Sequence, residues 1–428
     1  MVRHASRRAF LFEVAGGAAL LPTALSALGE TSPALAADAH GDAYWEMVRR
    51  QFPFREDKVP MNAANLCPSP RVVGERVAAL THDIDVDCSS NNRAKFKTLL
   101  EESRTKVAEQ LGVTVDEIAL VRNTSEANNT LNNGIALEAG DEIVLWEQNH
   151  PTNNVAWDVR AARFGLSVKR VAVPKHPANA DELVAAFERA LTPKTRVLSI
   201  THVSNISGIR LPVKELAEIA HQRDIHLHLD GAQTWGALDV NLRELGCDSY
   251  SASAHKWFCG PKEAGVLYVK AERIPHIWPN IVAPGWGDDV DPDPKGARKF
   301  ESLGQRDDAC LAAVGTTVDF HRRIGQDRVE ARVLELATAL KTGLLDAGVT
   351  LVTPMEPSLS GGVCIVEVPG KARRQVLNTV YEDHGIAGSG AGGLRLCPHL
   401  YNTTEHVERA VRAVKAVAGM ITATSLEG

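Results

Sequence analysis

The sequence predicts an α/β fold: a mostly parallel sheet wrapped by helices, followed by a smaller α+β unit. Three observations carry this reading. Short apolar runs alternate with helical patterns through the middle of the chain, as strands joined by crossover helices do. Proline and glycine then cluster at residues 284–296, and long helical patterns follow. The 428 residues are 44% hydrophobic and 23% charged, ordinary globular usage that argues against a fibre, a disordered chain or a membrane bundle. A net charge of −6 offers no basic excess, which sets nucleic-acid binding aside.

The amino-terminal residues read as a leader rather than as part of the fold. Ser6-Arg7-Arg8-Ala9-Phe10-Leu11 places two arginines before an apolar run at 14–28, interrupted by Gly16, Gly17 and Pro22. That run is too short to span a bilayer core of ~30 Å. Ala34-Leu35-Ala36 matches a small-residue cleavage site. The pattern resembles a twin-arginine export signal over residues 1–37, except that Phe12 stands where a lysine is usual. It implies passage through the twin-arginine translocase, a periplasmic or exported location, and no stable membrane insertion after cleavage.

Residues 38–65 are expected to pack on the small domain, residues 66–290 to form the large domain, and 291–428 the small one. Strand patterns fall at 117–121, 142–145, 168–173, 196–200, 225–229, 249–252 and 265–269. Helical periodicity fits 96–111, 129–137, 154–164, 181–191 and 213–222. Beyond the linker, helices are expected at 309–324, 328–345, 373–382 and 405–418, with a strand at 364–368. Seven widely spaced cysteines, none in a CxxC pair, read for the most part as small core residues, with one disulfide left open in an oxidising periplasm. No metal site is expected: His226 and His228 share a strand face but lack a third ligand.

The chemistry-bearing residues gather at strand ends, where open α/β sheets bind ligands. Asn123-Thr124-Ser125-Glu126 opens a helix after the strand at 117–121, and hydroxyls at a helix start suit a phosphate. Asp230 ends an apolar strand and is followed by Gly231, which poises a carboxylate beneath a ligand. Lys256, in Ser253-Ala254-His255-Lys256-Trp257, lies at the next strand end among apolar and aromatic neighbours. Desolvation there favours the neutral amine, a Schiff-base nucleophile. Arg395, within the apolar stretch Leu394–Leu396, suits bidentate capture of a carboxylate.

Together, Asp230-x-x-Gln233, Ser253-x-His255-Lys256 and Asn123-Thr124-Ser125-Glu126 resemble class V aminotransferases. This group has the fold-type I pyridoxal-phosphate (PLP) architecture, with a seven-stranded-type sheet, and includes cysteine desulfurases and isopenicillin N epimerase. The resemblance runs from Asn62-Ala63-Ala64-Asn65 to Arg395-x-x-Pro398-His399-x-Tyr401-Asn402. It implies PLP as cofactor, with Lys256 forming the Schiff base and Asp230 beneath the pyridine nitrogen. His150 would stack on the ring, and Gln233 and Asn205 would lie near its phenolic oxygen. Thr124, Ser125, Ser253 and His255 would hold the phosphate. Arg395 and Asn65 would bind the substrate.

Two departures stand out. Desulfurases carry a cysteine in the loop before the carboxylate arginine, but residues 388–393 here read Gly-Ser-Gly-Ala-Gly-Gly. Relatives use a Gly-Thr pair from a neighbouring subunit to reach the phosphate. Gly304-Gln305 stands there instead, with Gln305 expected to serve in a homodimer. The resemblance implies an enzyme acting at the α-carbon of an amino acid or amino-acid-like metabolite, by transamination, epimerisation or decarboxylation, with a C–S lyase as the alternative. An exported member of this class resembles the periplasmic enzymes that tailor pyoverdine siderophores. A non-catalytic binder on the same fold has no need of an electron sink, and so no need of Lys256, Asp230 and His150 together.

Overall fold

The computed structural model describes residues 41–283 and 295–423. The leader and its cleavage site lie outside the described residues. The account below concerns the unit that begins at Trp45.

The elements run in chain order. Strand β1 is Val59–Pro60, helix α1 Arg71–Val86, α2 Lys95–Leu111, β2 Ile118–Val121 and α3 Thr124–Gly134. They are followed by β3 Glu142–Trp146, α4 Pro151–Phe164, β4 Ser167–Val171, α5 Ala180–Glu188, β5 Thr195–Thr201, α6 Val213–His221 and β6 His226–Asp230. Then come β7 Ser249–Ser253, β8 Gly265–Val269, α7 Asp308–Ile324, α8 Gln326–Asp346, β9 Cys364–Val366, α9 Gly370–Glu382, β10 Ile386–Ala387, β11 Leu394–Leu396 and α10 Thr404–Ala423.

Seven strands form one sheet in the order β2-β8-β7-β6-β5-β3-β4. Only β8 runs against its neighbours; β7, β6, β5, β3 and β4 pair in parallel. β6, β7 and β8 are buried at every residue. β8 is apolar throughout, whereas β6 and β7 alternate polar and apolar residues, and Ser249, Ser251, His226 and His228 hydrogen-bond inside the fold. β4, Ser-Val-Lys-Arg-Val, is the open edge, and its Lys169 and Arg170 discourage pairing with a further strand. Leu131 of α3 and Trp157 of α4 pack with Ile143, Leu145, Val197 and Leu267 of the sheet.

A second apolar cluster joins Leu336, Leu340 and Leu344 of α8, Val376 and Val380 of α9, Val414 and Val417 of α10, and strands β9 and β11. β9 and β11 pair antiparallel. The amino-terminal β1 pairs parallel with β10, so Val59 and Met61 enter this cluster too.

The structure places α7 differently from the sequence expectation. α7 was expected with the small domain beyond residue 291, but it packs on α1 and α2, where Ser103 Oγ donates to the Ala312 carbonyl at 2.8 Å. α1 itself is absent from the expected helices. Its sequence buries only Val73 and Leu80, which leaves a weak periodic signal. Six of the seven cysteines are buried, and Cys88 is exposed.

Candidate active site

β2, β3, β5, β6 and β7 run in one direction, so their carboxyl ends share one edge of the sheet. Asn123, His150, Asn205, Asp230 and Ser253–Lys256 all lie at or just beyond those ends. Topology alone therefore brings residues from most of the large sheet to one crevice.

At one end of the crevice α3 begins. Asn123 caps it, its side chain accepting from the Glu126 N–H at 3.0 Å. The Thr124 N–H donates to Ser253 Oγ at 2.8 Å, and the two hydroxyls lie 2.6 Å apart. The exposed Ser125 N–H has no partner among the described residues. Two hydroxyls, a free N–H and the positive end of a helix dipole make a cradle for a phosphate dianion. His255 borders it. Burial lowers its pKa to about 4, so the ring is neutral, and Nδ1 is buried without a partner.

Asp230 is the acid of the site, 1% exposed. Asn128 donates to its Oδ2 at 2.9 Å, and the Ala232 N–H to Oδ1 at 3.0 Å. Asn128 Oδ1 in turn faces His228 Nε2 at 2.9 Å and accepts from Ser251 Oγ. His228 Nδ1 and His226 Nε2 both meet Ser249 Oγ. Burial drives the pKa of His228 to about 3 and that of His226 to about 4, so both rings are neutral and serve as hydrogen-bonding spacers rather than as cations. No ion pair to Asp230 occurs among the described residues. The turn after Asp230 needs Gly231, since a Cβ there would stand 1.9 Å from the Tyr250 ring.

Lys256 Nζ makes no hydrogen bond among the described residues. Burial lowers its pKa, more than the nearby Asp230 carboxylate raises it, and Arg395 lowers it further. His150 opens α4 and accepts from the Thr152 N–H through Nδ1, leaving the ring exposed at the crevice. Desolvation and the positive charge of Lys256 hold its pKa below the ordinary value despite Asp230. Gln233 Oε1 accepts from Trp257 Nε1 at 2.8 Å, and its Nε2 donates to the Ala64 carbonyl at 3.1 Å. That network fixes the amide orientation and leaves one Nε2 hydrogen for a ligand oxygen.

Arg395 is 4% exposed. It donates to the Asn205 carbonyl and to Asn62 Oδ1, each at 3.0 Å, and its Nε is buried without a partner. No carboxylate pairs with it among the described residues. Asn205 thus meets Arg395 through its main chain. Asn62, rather than Asn65, supplies the side-chain contact; Asn65 is exposed and donates its N–H to the Asn62 carbonyl at 2.9 Å. Gln305 is exposed and held by Arg93 and the Arg306 carbonyl, with no hydrogen bond to Thr124, Ser253 or His255. Among the residues that sequence reasoning missed, Asn128 lies one helical turn beyond Thr124 on α3, a spacing that could have found it. Asn149, which accepts from the Thr201 N–H and donates to the Ser199 carbonyl, tethers the His150 turn to β5 and carried no such signal.

These residues fit PLP. An unpaired desolvated amine, a buried carboxylate with no cationic partner and a hydroxyl-lined helix start stand together at one strand edge, each lacking what that cofactor carries.

The family model described as Aminotransferase class-V matches residues 76–417. Isopenicillin N epimerase from Amycolatopsis lactamdurans is 30% identical over 393 residues, covering 87% of this chain and 98% of the relative. Its counterpart from Streptomyces clavuligerus is 29% identical over 395 residues, covering 88% and 99%. A probable cysteine desulfurase from Methanothermobacter thermautotrophicus is 26% identical over 411 residues, covering 88% and 98%. Among solved structures, the cysteine desulfurase CsdA from Escherichia coli superposes with a TM-score of 0.78 at 21% identity, covering 90% of this chain and all of that one. A C-DES mutant with glycine covalently linked to its PLP cofactor gives 0.78 at 23%, covering 86% and 98%. By the family-model match over residues 76–417 and by its likeness to these relatives over most of its length, the protein belongs to the class V aminotransferase family of PLP-dependent enzymes.

Proposed function

We propose that this enzyme moves a proton at the α-carbon of an amino acid, or of the amino-acid-like end of a larger metabolite such as a siderophore, in an epimerisation or transamination. The observation that carries the reading is Arg395: a buried guanidinium with neutral partners, beside the lysine that can take the proton. Bound PLP supplies an electron sink for charge developing at the α-carbon. Asp230, oriented by Asn128 and the Ala232 N–H, is the carboxylate that would hold the proton on the ring nitrogen of bound PLP. Arg395 orients the substrate carboxylate. Lys256, with its pKa lowered, is the base that removes the α-proton and the acid that returns it. His150, with its pKa lowered and its ring open to the crevice, would stack on bound PLP.

Sulfur abstraction by a protein thiolate is the weaker reading. The 388–393 loop is closed into a tight turn by paired main-chain bonds between Ser389 and Arg395, and it contains no cysteine. The nearest cysteine in sequence, Cys397, is fully buried, and burial raises its pKa. The reading includes a homodimer in which Gln305 of each chain reaches the neighbour's cofactor phosphate.

The test is α-proton exchange. The PLP-loaded enzyme is incubated in deuterated water with a panel of amino acids and siderophore precursors, with and without a keto acid, and products are followed by mass spectrometry. Deuterium at the α-carbon, abolished by Lys256→Ala, is the expected result. Carbon dioxide or a sulfur product without exchange would replace proton transfer with decarboxylation or C–S cleavage.

A further inference from the structure

Behind the crevice, three buried side chains from distant segments converge. Cys67 follows the amino-terminal strand segment, Cys259 lies three residues past Lys256, and His399 four past Arg395. One donor atom from each lies within 4.8 Å of the other two. Cys67 is 1% exposed, and Cys259 and His399 are 0% exposed.

We propose that this cluster binds one thiophilic closed-shell cation, Zn²⁺ or Cu⁺, which fastens the Lys256 turn and the Arg395 strand to the amino-terminal segment. The imidazole is the first argument. A ligating histidine characteristically donates its other ring N–H to a carbonyl or carboxylate, which fixes its tautomer. His399 Nε2 does so to the Trp257 carbonyl, and Nδ1 is left buried with no partner. With the ring hydrogen on Nε2, facing the Trp257 carbonyl, Nδ1 is the nitrogen that carries the lone pair. An unpaired acceptor in a dry interior is costly unless something occupies it.

The sulfurs are the second argument. Tyr401 donates its hydroxyl to Cys67 Sγ at 3.4 Å, a contact that strengthens when the sulfur is a thiolate. Cys259 occupies a left-handed backbone conformation, φ +57°, that glycine would adopt more cheaply. A side chain held there against that cost implies a use for the sulfur. Two thiolates and a neutral imidazole are a soft donor set that selects zinc or copper(I) over calcium or magnesium. Bonds of ~2.3 Å to sulfur and ~2.0 Å to nitrogen put tetrahedral donors about 3.5–3.8 Å apart, so donors that now lie within 4.8 Å of one another draw in around the ion. Binding releases the two thiol protons as the two metal–sulfur bonds form, with no change of oxidation state. Zn²⁺ would leave the site neutral. Cu⁺ would leave one negative charge, with the Lys262 ammonium close by, bonded to the Cys67 carbonyl at 2.8 Å.

This inference concerns the fold around the site and stands whichever reaction the crevice performs. The full-length PLP-loaded protein is stripped with chelator, then dialysed anaerobically against Zn²⁺ in one arm and Cu⁺ in another, and bound metal is counted per chain. One equivalent is expected in at least one arm, with X-ray absorption showing two sulfur ligands and a nitrogen. Cys67→Ala should lose the ion, while Cys88→Ala, at the exposed cysteine, should keep it. No retained ion in either arm, a shell of oxygen and nitrogen alone, or a stoichiometry unchanged by Cys67→Ala would overturn the proposal. Peptide mapping that finds Cys67 and Cys259 joined as a disulfide would also overturn it. The absorption measurement uses the wild-type chain, so it decides the matter even where Cys67→Ala fails to fold.

Discussion

Replacing Arg395 by lysine separates a substrate-reading arginine from a structural one. The guanidinium is 4% exposed and spends two N–H groups on neutral acceptors, Asn205 O and Asn62 Oδ1. A charge withdrawn from water this far requires a counter-ion or a heavy desolvation penalty. Among the described residues no anion pairs with it, so the counter-ion must arrive with the ligand. Lysine keeps the charge but loses the planar fork that grips a carboxylate at two points. A desolvated bidentate contact is worth ~2–4 kcal/mol, part of it the cost of leaving the carboxylate unpaired. Arg395→Lys should therefore lose at least ~30-fold in kcat/KM, the rate equivalent of about 2 kcal/mol. Its PLP content and visible absorbance should match the wild type, because Arg395 touches neither Asp230 nor the phosphate cradle. Steady-state kinetics on the acid and on its α-carboxamide complete the assay: the wild type should discriminate strongly between them and the variant weakly. Wild-type efficiency in Arg395→Lys, or equal turnover of acid and amide by the wild type, would refute the reasoning.

Three further outcomes follow from the geometry. Asn128→Leu strips a hydrogen bond from Asp230 and another from His228 in a fully buried position, at about 1–3 kcal/mol for each group left unsatisfied; PLP should be released more readily, and its absorbance should shift as the proton on its ring nitrogen is held less firmly, with an unchanged spectrum and melting temperature as the contrary result. Gln305→Ala should weaken PLP retention by ~1 kcal/mol, roughly fivefold, in a protein that light scattering finds dimeric, whereas a fully active monomer would end the composite-site idea. His202, His226, His228, His321 and His399 are held neutral by burial, with pKa values of about 3 to 4 against 6.5 unfolded. The unfolded chain therefore binds more protons in that window, so stability is full above pH 6.5 and declines as pH falls toward 4. Each histidine contributes up to about 2 kcal/mol between pH 7 and 5, and urea unfolding that showed no loss over that range would contradict the burial.

Much of the site was legible because parallel strands impose order. Once β6 and β7 are recognised, Asp230 and Lys256 must emerge on the same edge, and the helix start at Thr124 joins them through β2. β8, a short unbroken apolar run buried at every residue, was found with its ends intact although it is the antiparallel strand of the sheet. What sequence could not supply were contacts between segments far apart in the chain. The Asn62–Arg395 pair, the placement of α7 on α1 and α2, and the approach of Cys67 to Cys259 and His399 all join distant stretches. Cysteines without a CxxC spacing looked like core filler, and Cys247, Cys310, Cys364 and Cys397 are indeed buried, while Cys88 is exposed.

Three residues to which the sequence assigned no role share one location. Asn62, Ala64 and Cys67 come from a single short stretch, and they contact in turn Arg395, Gln233 and the Cys259–His399 cluster. Cys67 also donates its N–H to the His255 carbonyl at 2.8 Å, immediately before Lys256. One amino-terminal segment therefore touches the main chain beside Lys256, the Gln233 amide and the Arg395 guanidinium. Those groups sit after β7, after β6 and on β11, and none is bonded to another directly. On the proposed reading, the relative placement of amine and guanidinium would select the bond at the α-carbon that breaks. Residues 62–67, which bond to all three places, would then share with the sheet in setting that choice.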